Sequence, residues 1–381
     1  MKQFFLAVAL LSAFCVSVPA QDAAKAPAVV EKMPAVTASE PYAAPTLSSP
    51  DNWMMAVIPD TQTYSKFSRN HGIMDMMFTW IVENAKALRI QQAVFLGDLV
   101  DCNRRMLVND KTHYLTGPEQ WQAFSRCCER FDGKLPYVLA TGNHDYGYTS
   151  AEDRWSELPR YFHPERNSAW RNCLVDMGPN GEGRPTLENA AYEFTTPNGQ
   201  KVLIVSLAFA PTDKQLAWAK GIFARKNYKD AFGIVVNHAY LSSYLNQKAP
   251  ASRLDTKAYT LEKADGNVGE GIWQKLVKVS PNIKLVLCGH ISAADNWRGC
   301  VGYQVSTNDA GGKVHEILFD PQALAGGWSG NGGDGFIRLL EFSKDMKSMK
   351  VRTFSPYFAI SPSVRKYAWH THPYNEFTVE F

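Results

Sequence analysis

Apolar runs of strand length recur along this chain, and each stops at a residue able to hold an ion or a proton. "AVIPD" runs into Asp60, "QQAVFLGDLVD" into Asp98 and Asp101, and "LPYVLATGNHD" into Asn143, His144 and Asp145; "FGIVVNH" ends on His238 and "IKLVLCGH" on His290. Short apolar runs with such endings predict buried strands. Between them Ile73, Met77, Trp80, Ile81 and Leu88 repeat at helical spacing, as do Trp121, Phe124, Cys128 and Phe131, which predicts helices with one apolar face. Strands alternating with helices predict an α/β sheet covered on its faces. In open α/β sheets the ligand lies beyond the carboxyl ends of the strands, so Asp60, Asp98, Asn143, His238 and His290 are expected to be neighbours in one polar site. Taken singly, each reads as a helix or turn cap or as an ordinary histidine. Their shared position at five strand ends carries the expectation.

Composition narrows the class without naming a chemistry. With 381 residues, 45% hydrophobic and 20% charged, the chain can bury a large core, as one large or two modest domains. The formal charge of +3 comes with no long basic or acidic block, so neither nucleic acid nor an anionic membrane is expected as an obligatory partner. The start, "MKQFFLAVALLSAFCVSVPA", combines basic Lys2, an apolar stretch too short to span a bilayer and a Val-Pro-Ala end. It reads as a secretory signal over residues 1–20, cleaved after Ala20, and Cys15, behind bulky Phe14, disfavours a lipid anchor. The expected location is therefore periplasmic or extracellular, with no stable membrane anchor. An Ala/Pro-rich stretch over 21–50 reads as an extended linker, leaving 51–381 as the main domain. Export permits disulfides among Cys102, Cys127, Cys128, Cys173, Cys288 and Cys300, an even set whose pairing the sequence does not assign. There is no Cys-x-x-Cys spacing, so a thiolate zinc site is not expected.

The ordered set "PDTQ", "GDLVD", "GNHD", "NH" and "GH" resembles the calcineurin-like metallophosphoesterase family, whose motifs run Asp-x-His, Gly-Asp-x-x-Asp, Gly-Asn-His-Asp/Glu, His and Gly-His-x-His. The likeness spans about Trp53 to Ser292. It implies a four-layer αββα sandwich, two mixed β-sheets flanked by helices, around a centre of two divalent transition metals (manganese, iron, zinc or nickel). By position, Asp98 would bridge both ions, Asn143, His238 and His290 would complete the second, and Asp60 would bind the first. His144 would act on the substrate as general acid or transition-state stabiliser, oriented by Asp145, and Asp101 would support the loop that presents Asp98. Two cations roughly 4 Å apart neutralise phosphoryl oxygens and lower the pKa of a water between them. The implied activity is hydrolysis of a small phosphomonoester or phosphodiester by metal-activated water.

Two departures strike the first metal. Gln62 stands where the first motif has His, and Ser292 where "GHISAAD" would have its second His. Gln62 still offers a neutral amide oxygen; a serine hydroxyl is a poor ligand. Three arrangements follow: a first ion held weakly by Asp60, Gln62 and Asp98, a ligand recruited from elsewhere, with His315 in "GGKVHEILFD" as one candidate, or a single-ion site. The expectation is a binuclear site with an oxygen-rich, more exchangeable first ion. The competing reading is a degenerate domain that binds a phosphorylated or sugar ligand without turnover.

Other features add less. Arg104 and Arg105 can pair with phosphate but read more readily as surface charge, and Tyr64 and Tyr146 fit either the cleft or the core. The loop "GGWSGNGGDGF" lacks the Lys-Ser/Thr ending of a P-loop and is expected as a flexible rim. "FIRLLEF", "MKVRTFSPY" and "EFTVEF" read as antiparallel strands completing the sandwich, and His370 and His372 as surface residues.

Overall fold

Every position of the first apolar run is buried, and in the computed structural model it forms a strand of two-sided contacts rather than an amphipathic edge. Residues 42–107, 114–244, 251–294 and 296–381 are described, all within one unit, Glu40–Phe381. The expected signal segment and the linker up to residue 41 lie outside the described residues. In chain order the strands are β1 (Trp53–Ile58), β2 (Ile90–Phe95), β3 (Tyr137–Leu139), β4 (Leu174–Pro179), β5 (Pro185–Thr195), β6 (Lys201–Ser206), β7 (Phe232–Val236), β8 (Ile283–Cys288), β9 (Val301–Thr307), β10 (Lys313–Phe319), β11 (Ile337–Phe342), β12 (Ser348–Phe354), β13 (Trp369–His370) and β14 (Phe377–Glu380). They form two mixed sheets. One runs β13-β12-β11-β1-β2-β3 with β14 beside β12; the other runs β4-β5-β6-β7-β8-β10-β9.

The layers follow from the alternation of side chains along each strand. In β6, Val202 and Ile204 face the cluster shared with the first sheet, while Leu203 and Val205 face a second cluster with Leu216, Ala219, Ile222 and Phe223 of the helix Asp213–Phe223. In β7, Ile234 and Val236 point inward and Val235 outward in the same way. The inner contact between sheets is aromatic: Trp53 meets Phe194 edge-on at 5.3 Å and Phe232 meets Phe342 at 5.8 Å. On the far side of the first sheet, the helices His71–Asn84 and Gly117–Cys128 lay Phe78 and Phe124 against Phe95, at 5.3 and 5.4 Å. The second of these helices opens on a capping box, with Thr116 and Glu119 satisfying each other's backbone N–H. Helix, sheet, sheet, helix is the four-layer α/β sandwich that the motifs imply.

Strand direction positions the site. β1, β2 and β3 are parallel, and so are β6, β7, β8 and β10, so the residues following β1, β2, β3, β7, β8 and β10 emerge at carboxyl edges. The C-terminal β11, β12 and β14 pair antiparallel.

Three expectations meet a different local structure. Residues 42–50, at the end of the expected linker, carry no helix or strand yet are tied down: Ser48 donates to Glu341 at 2.6 Å, Trp369 Nε1 to the Ala43 carbonyl and Arg352 to that of Thr46. The six cysteines are all free and buried. Cys288 donates to the Ile317 carbonyl and Cys300 to those of Ala293 and Asn296, while Cys102 accepts from Gln120; each thiol is committed to its own neighbourhood. The glycine loop is fastened rather than loose, with Gly335 N donating to Tyr64 Oη at 3.0 Å and Asn70 to the Gly330 carbonyl at 2.9 Å.

Candidate metal centre

The centre is built around one nitrogen. His238, buried at the end of β7, has Nδ1 2.9 Å from the carbonyl oxygen of Leu96. With Nδ1 donating there, Nε2 carries the free lone pair. Around Nε2 stand Asp98 Oδ2 at 3.2 Å, Asn143 Oδ1 at 3.2 Å and His290 Nδ1 at 3.1 Å. Four potential ligand atoms about 2.1 Å from a common ion lie about 3.0–3.4 Å from one another, so these separations fit a single cation. Three of the residues, Asp98, His238 and His290, bring ligand atoms within 4.8 Å of each other. Asn143 is oriented from behind: its Nδ2 donates to Ser150 Oγ at 2.9 Å, which turns Oδ1 toward the histidines.

Backbone geometry bends the loops to this purpose. Asp98 and His290 take left-handed φ values of +47° and +77°, a region non-glycine residues enter at a cost and mostly at functional sites. Two glycines leave the room that the carboxylates occupy. A Cβ on Gly142 would lie 2.1 Å from Asp98 Oδ1, and one on Gly289 2.2 Å from Asp60 Oδ1.

Buried carboxyl groups are concentrated at the centre. Asp60, Asp98, Asp145 and Asp320 are each no more than 2% exposed, and among the described residues none pairs with a lysine or arginine. Burial, then the charges of Asp320 and Asp98, hold Asp60 well above the usual carboxylate range. Burial opposes ionisation of Asp98 too, but the His238 and His144 charges outweigh it and draw that carboxyl down. His290 is pushed down to about 3 by burial and the His238 charge, which keeps its imidazole neutral and able to ligate. Buried carboxylates without lysine or arginine partners, beside an imidazole held neutral, are what a bound divalent metal compensates, so the residues present fit the ions that the motifs imply.

The remaining expected residues divide. Asp60 lies at the end of β1, where its carboxylate accepts from His290 N at 3.2 Å and from Gln322 Nε2 at 3.0 Å. Gln62 is buried, and its Oε1 has no hydrogen-bond partner. His144 N donates to Asp98 Oδ1 at 2.9 Å, and its ring Nδ1 lies 2.7 Å from the Asp101 carbonyl oxygen, so Nε2 is the ring atom left for other work. The expectation that Asp145 orients this imidazole is corrected: its carboxylate accepts from the N–H groups of Leu99, Val100 and Gly142 at 3.1, 3.1 and 2.7 Å. It clamps the loop after β2 to the loop after β3, and the Asp101 carbonyl orients His144. The Asp101 side chain pairs with Lys66 at 2.9 Å. Tyr64 and Tyr146 are core anchors, the latter donating to buried Glu188 at 2.8 Å, and Arg104 binds the Gly147 carbonyl and Asp153.

His315 does not reach the centre. It sits within β10 opposite Leu285, with Nδ1 2.9 Å from Tyr303 Oη, several residues short of the carboxyl edge. Sequence reasoning passed over the residue that does reach it: Asp320, directly after β10. The signal was available, since "EILFDP" is another apolar run ending in an aspartate. Tyr259 and Phe209 were also missed; their rings pack 5.7 and 6.2 Å from that of His290, and neither carries a sequence signal for that position.

Comparison with known proteins bears on this geometry. Residues 56–293 match the family model described as calcineurin-like phosphoesterase. The uncharacterized protein YvnB of Bacillus subtilis strain 168 is 27% identical over 312 residues, 81% of this chain, and the chain spans only 20% of that protein's length. Among solved structures, a dimetal phosphatase from Danio rerio aligns with TM-score 0.45 and 12% identity over 80% of this chain and 96% of its own. The GAP50 anchor in the inner membrane complex of Plasmodium aligns with TM-score 0.39 and 12% identity over 80% and 85%.

Proposed function

This chain belongs to the calcineurin-like phosphoesterase family; from that premise we propose that it is a metal-dependent hydrolase of phosphate esters that acts outside the cytoplasm on a small phosphomonoester or phosphodiester. The observation that carries the reading is the convergence of Asp98, Asn143 and His290 on His238 Nε2, all within 3.2 Å. These four would hold the second metal, and Asp60, Gln62 and Asp98 would hold the first. When bound, divalent cations neutralise phosphoryl oxygens and acidify water.

The chain's own groups do the rest. Asp145 fixes the loops after β2 and β3 to each other, so that Asp98 and Asn143 arrive with a set spacing. His144, held at Nδ1 by the Asp101 carbonyl, presents Nε2 as the atom from which a proton passes to the departing ester oxygen. Its backbone N–H and the His238 ring share Asp98, so proton donor and metal ligands form one rigid unit. Export rests on the basic, apolar and small-residue start of the sequence.

The test is an assay of metal-reconstituted protein on p-nitrophenyl phosphate and bis-p-nitrophenyl phosphate with manganese, iron, zinc and nickel in turn. Turnover that requires metal and is abolished by chelation is expected. No turnover with any ion, together with binding of inorganic phosphate, would leave the non-hydrolytic binding domain in its place.

A further inference from the structure

The first metal position lacks both imidazoles that the family motifs supply, and the structure shows what stands nearby instead. Asp320 emerges from β10, which runs parallel to β8, so it reaches the same edge as His290. Its carboxylate is fully buried. Gln322 Nε2 lies 3.0 Å from Asp320 Oδ2 and 3.0 Å from Asp60 Oδ2, so one group of positive polarity already gathers both carboxylates. Ser292, the residue in the place of the second missing imidazole, is spent on this loop: its Oγ donates to the Asp320 carbonyl at 2.7 Å and accepts from Ala323 N at 3.2 Å. The serine therefore anchors the backbone that carries the aspartate.

A pair of acidic residues alone does not make a site. Here a separate observation points to a ligand: Gln62, two residues beyond Asp60 and 3% exposed, keeps a buried amide oxygen with no hydrogen-bond partner. An orphaned buried acceptor is unfavourable, and a cation relieves it.

We propose that Asp320 replaces the missing imidazole and, with Asp60, Gln62 and Asp98, makes the first position an all-oxygen site for a hard divalent cation of the manganese or magnesium type. This rests on the reading of the centre as a metal site. It also divides the two positions by chemistry. The second offers two imidazole nitrogens and two oxygens, which suits zinc or iron, whereas carboxylate and amide oxygens suit manganese and magnesium. The exchange of Ser292 for an imidazole and the presence of Asp320 then form one coupled replacement, because the hydroxyl holds the loop from which the new ligand is presented.

The experiment counts ions on the full chain stripped of metal and reloaded with Mn2+, by elemental analysis and electron paramagnetic resonance. Wild type should take up two ions with an exchange-coupled signal. D320N should take up one, with the uncoupled six-line signal of an isolated ion, while its thermal melt in the metal-free state stays cooperative. D320N retaining both ions and the coupled signal would overturn the assignment, as would a wild type holding one ion that D320N keeps and H238A loses. Wild type taking up no ion would instead bring down the reading of the whole centre. Should D320N not fold, D320E, which keeps the charge one methylene farther out, takes its place: at least a tenfold weaker first ion supports the assignment, and unchanged affinity contradicts it.

Discussion

At the scale of single residues, two aspartates and three histidines that look alike in sequence acquire different tasks from their surroundings. His238 is buried and faces His290, which is half-buried, whereas His144, also half-buried, is held at Nδ1 by a carbonyl. Replacing His144 with alanine should lower turnover about 10²- to 10⁴-fold, the usual worth of a general acid, with metal content unchanged by elemental analysis. Replacing His238 with alanine should remove the second ion as well as the activity, because three other ligand atoms are gathered around its Nε2. A His144 variant that lost metal, or a His238 variant that kept it, would reverse these roles. His238 and the three residues around its Nε2 were readable in the sequence because each closes an apolar run. The role of Asp145 was not, since its three backbone donors come from two loops whose meeting only the fold decides.

At the scale of elements, the site depends on loops passing within contact distance of one another at the sheet edges. Gly142→Ala would place a Cβ 2.1 Å from Asp98 Oδ1, so the loop after β3 must back away from the loop after β2. Metal affinity should fall at least tenfold while the fold persists, which a Mn2+ titration of the variant measures; unchanged affinity would mean that the loops have slack. Asp145→Ala leaves three buried N–H groups without an acceptor. It should destabilise the protein by at least about 2 kcal/mol, read from denaturant unfolding. Alternation of strands and helices was legible from hydrophobic spacing, including the helix that carries Met77 and Ile81 and the antiparallel β11, β12 and β14. What hydrophobic spacing could not give was that β10 returns parallel to β8. That pairing is non-local, and it alone brings Asp320 rather than His315 to the edge.

At the scale of the whole molecule, the buried acids make stability depend on pH and metal together. In the metal-free chain burial pushes Asp320 up to about 6 and Asp145 up to about 8 from the ordinary 3.8. The folded state thus holds protons that the unfolded chain has released, and their contribution to stability, full below 3.8, is lost as pH rises to about 8. A divalent cation takes the place of the Asp320 proton, so the rise in melting temperature on adding Mn2+ should be larger at pH 8 than at pH 5; equal rises would contradict this. The cysteines contribute nothing comparable. All six are free, burial raises the thiols, Cys102 to about 11 and Cys288 to about 12, and a reductant should leave the melting temperature unchanged. The even cysteine count suggested otherwise, because counting cannot see which sulfurs the fold brings within bonding distance.

The centre rests on His238 Nε2, Asp98 Oδ2, Asn143 Oδ1 and His290 Nδ1 sharing one ion. Anomalous scattering from crystals of the full chain grown with Mn2+ tests it most directly. A peak about 2.0–2.3 Å from each of the four atoms is the expected result; a protein that hydrolyses phosphate esters with no anomalous peak within coordination distance of His238 Nε2 would contradict it.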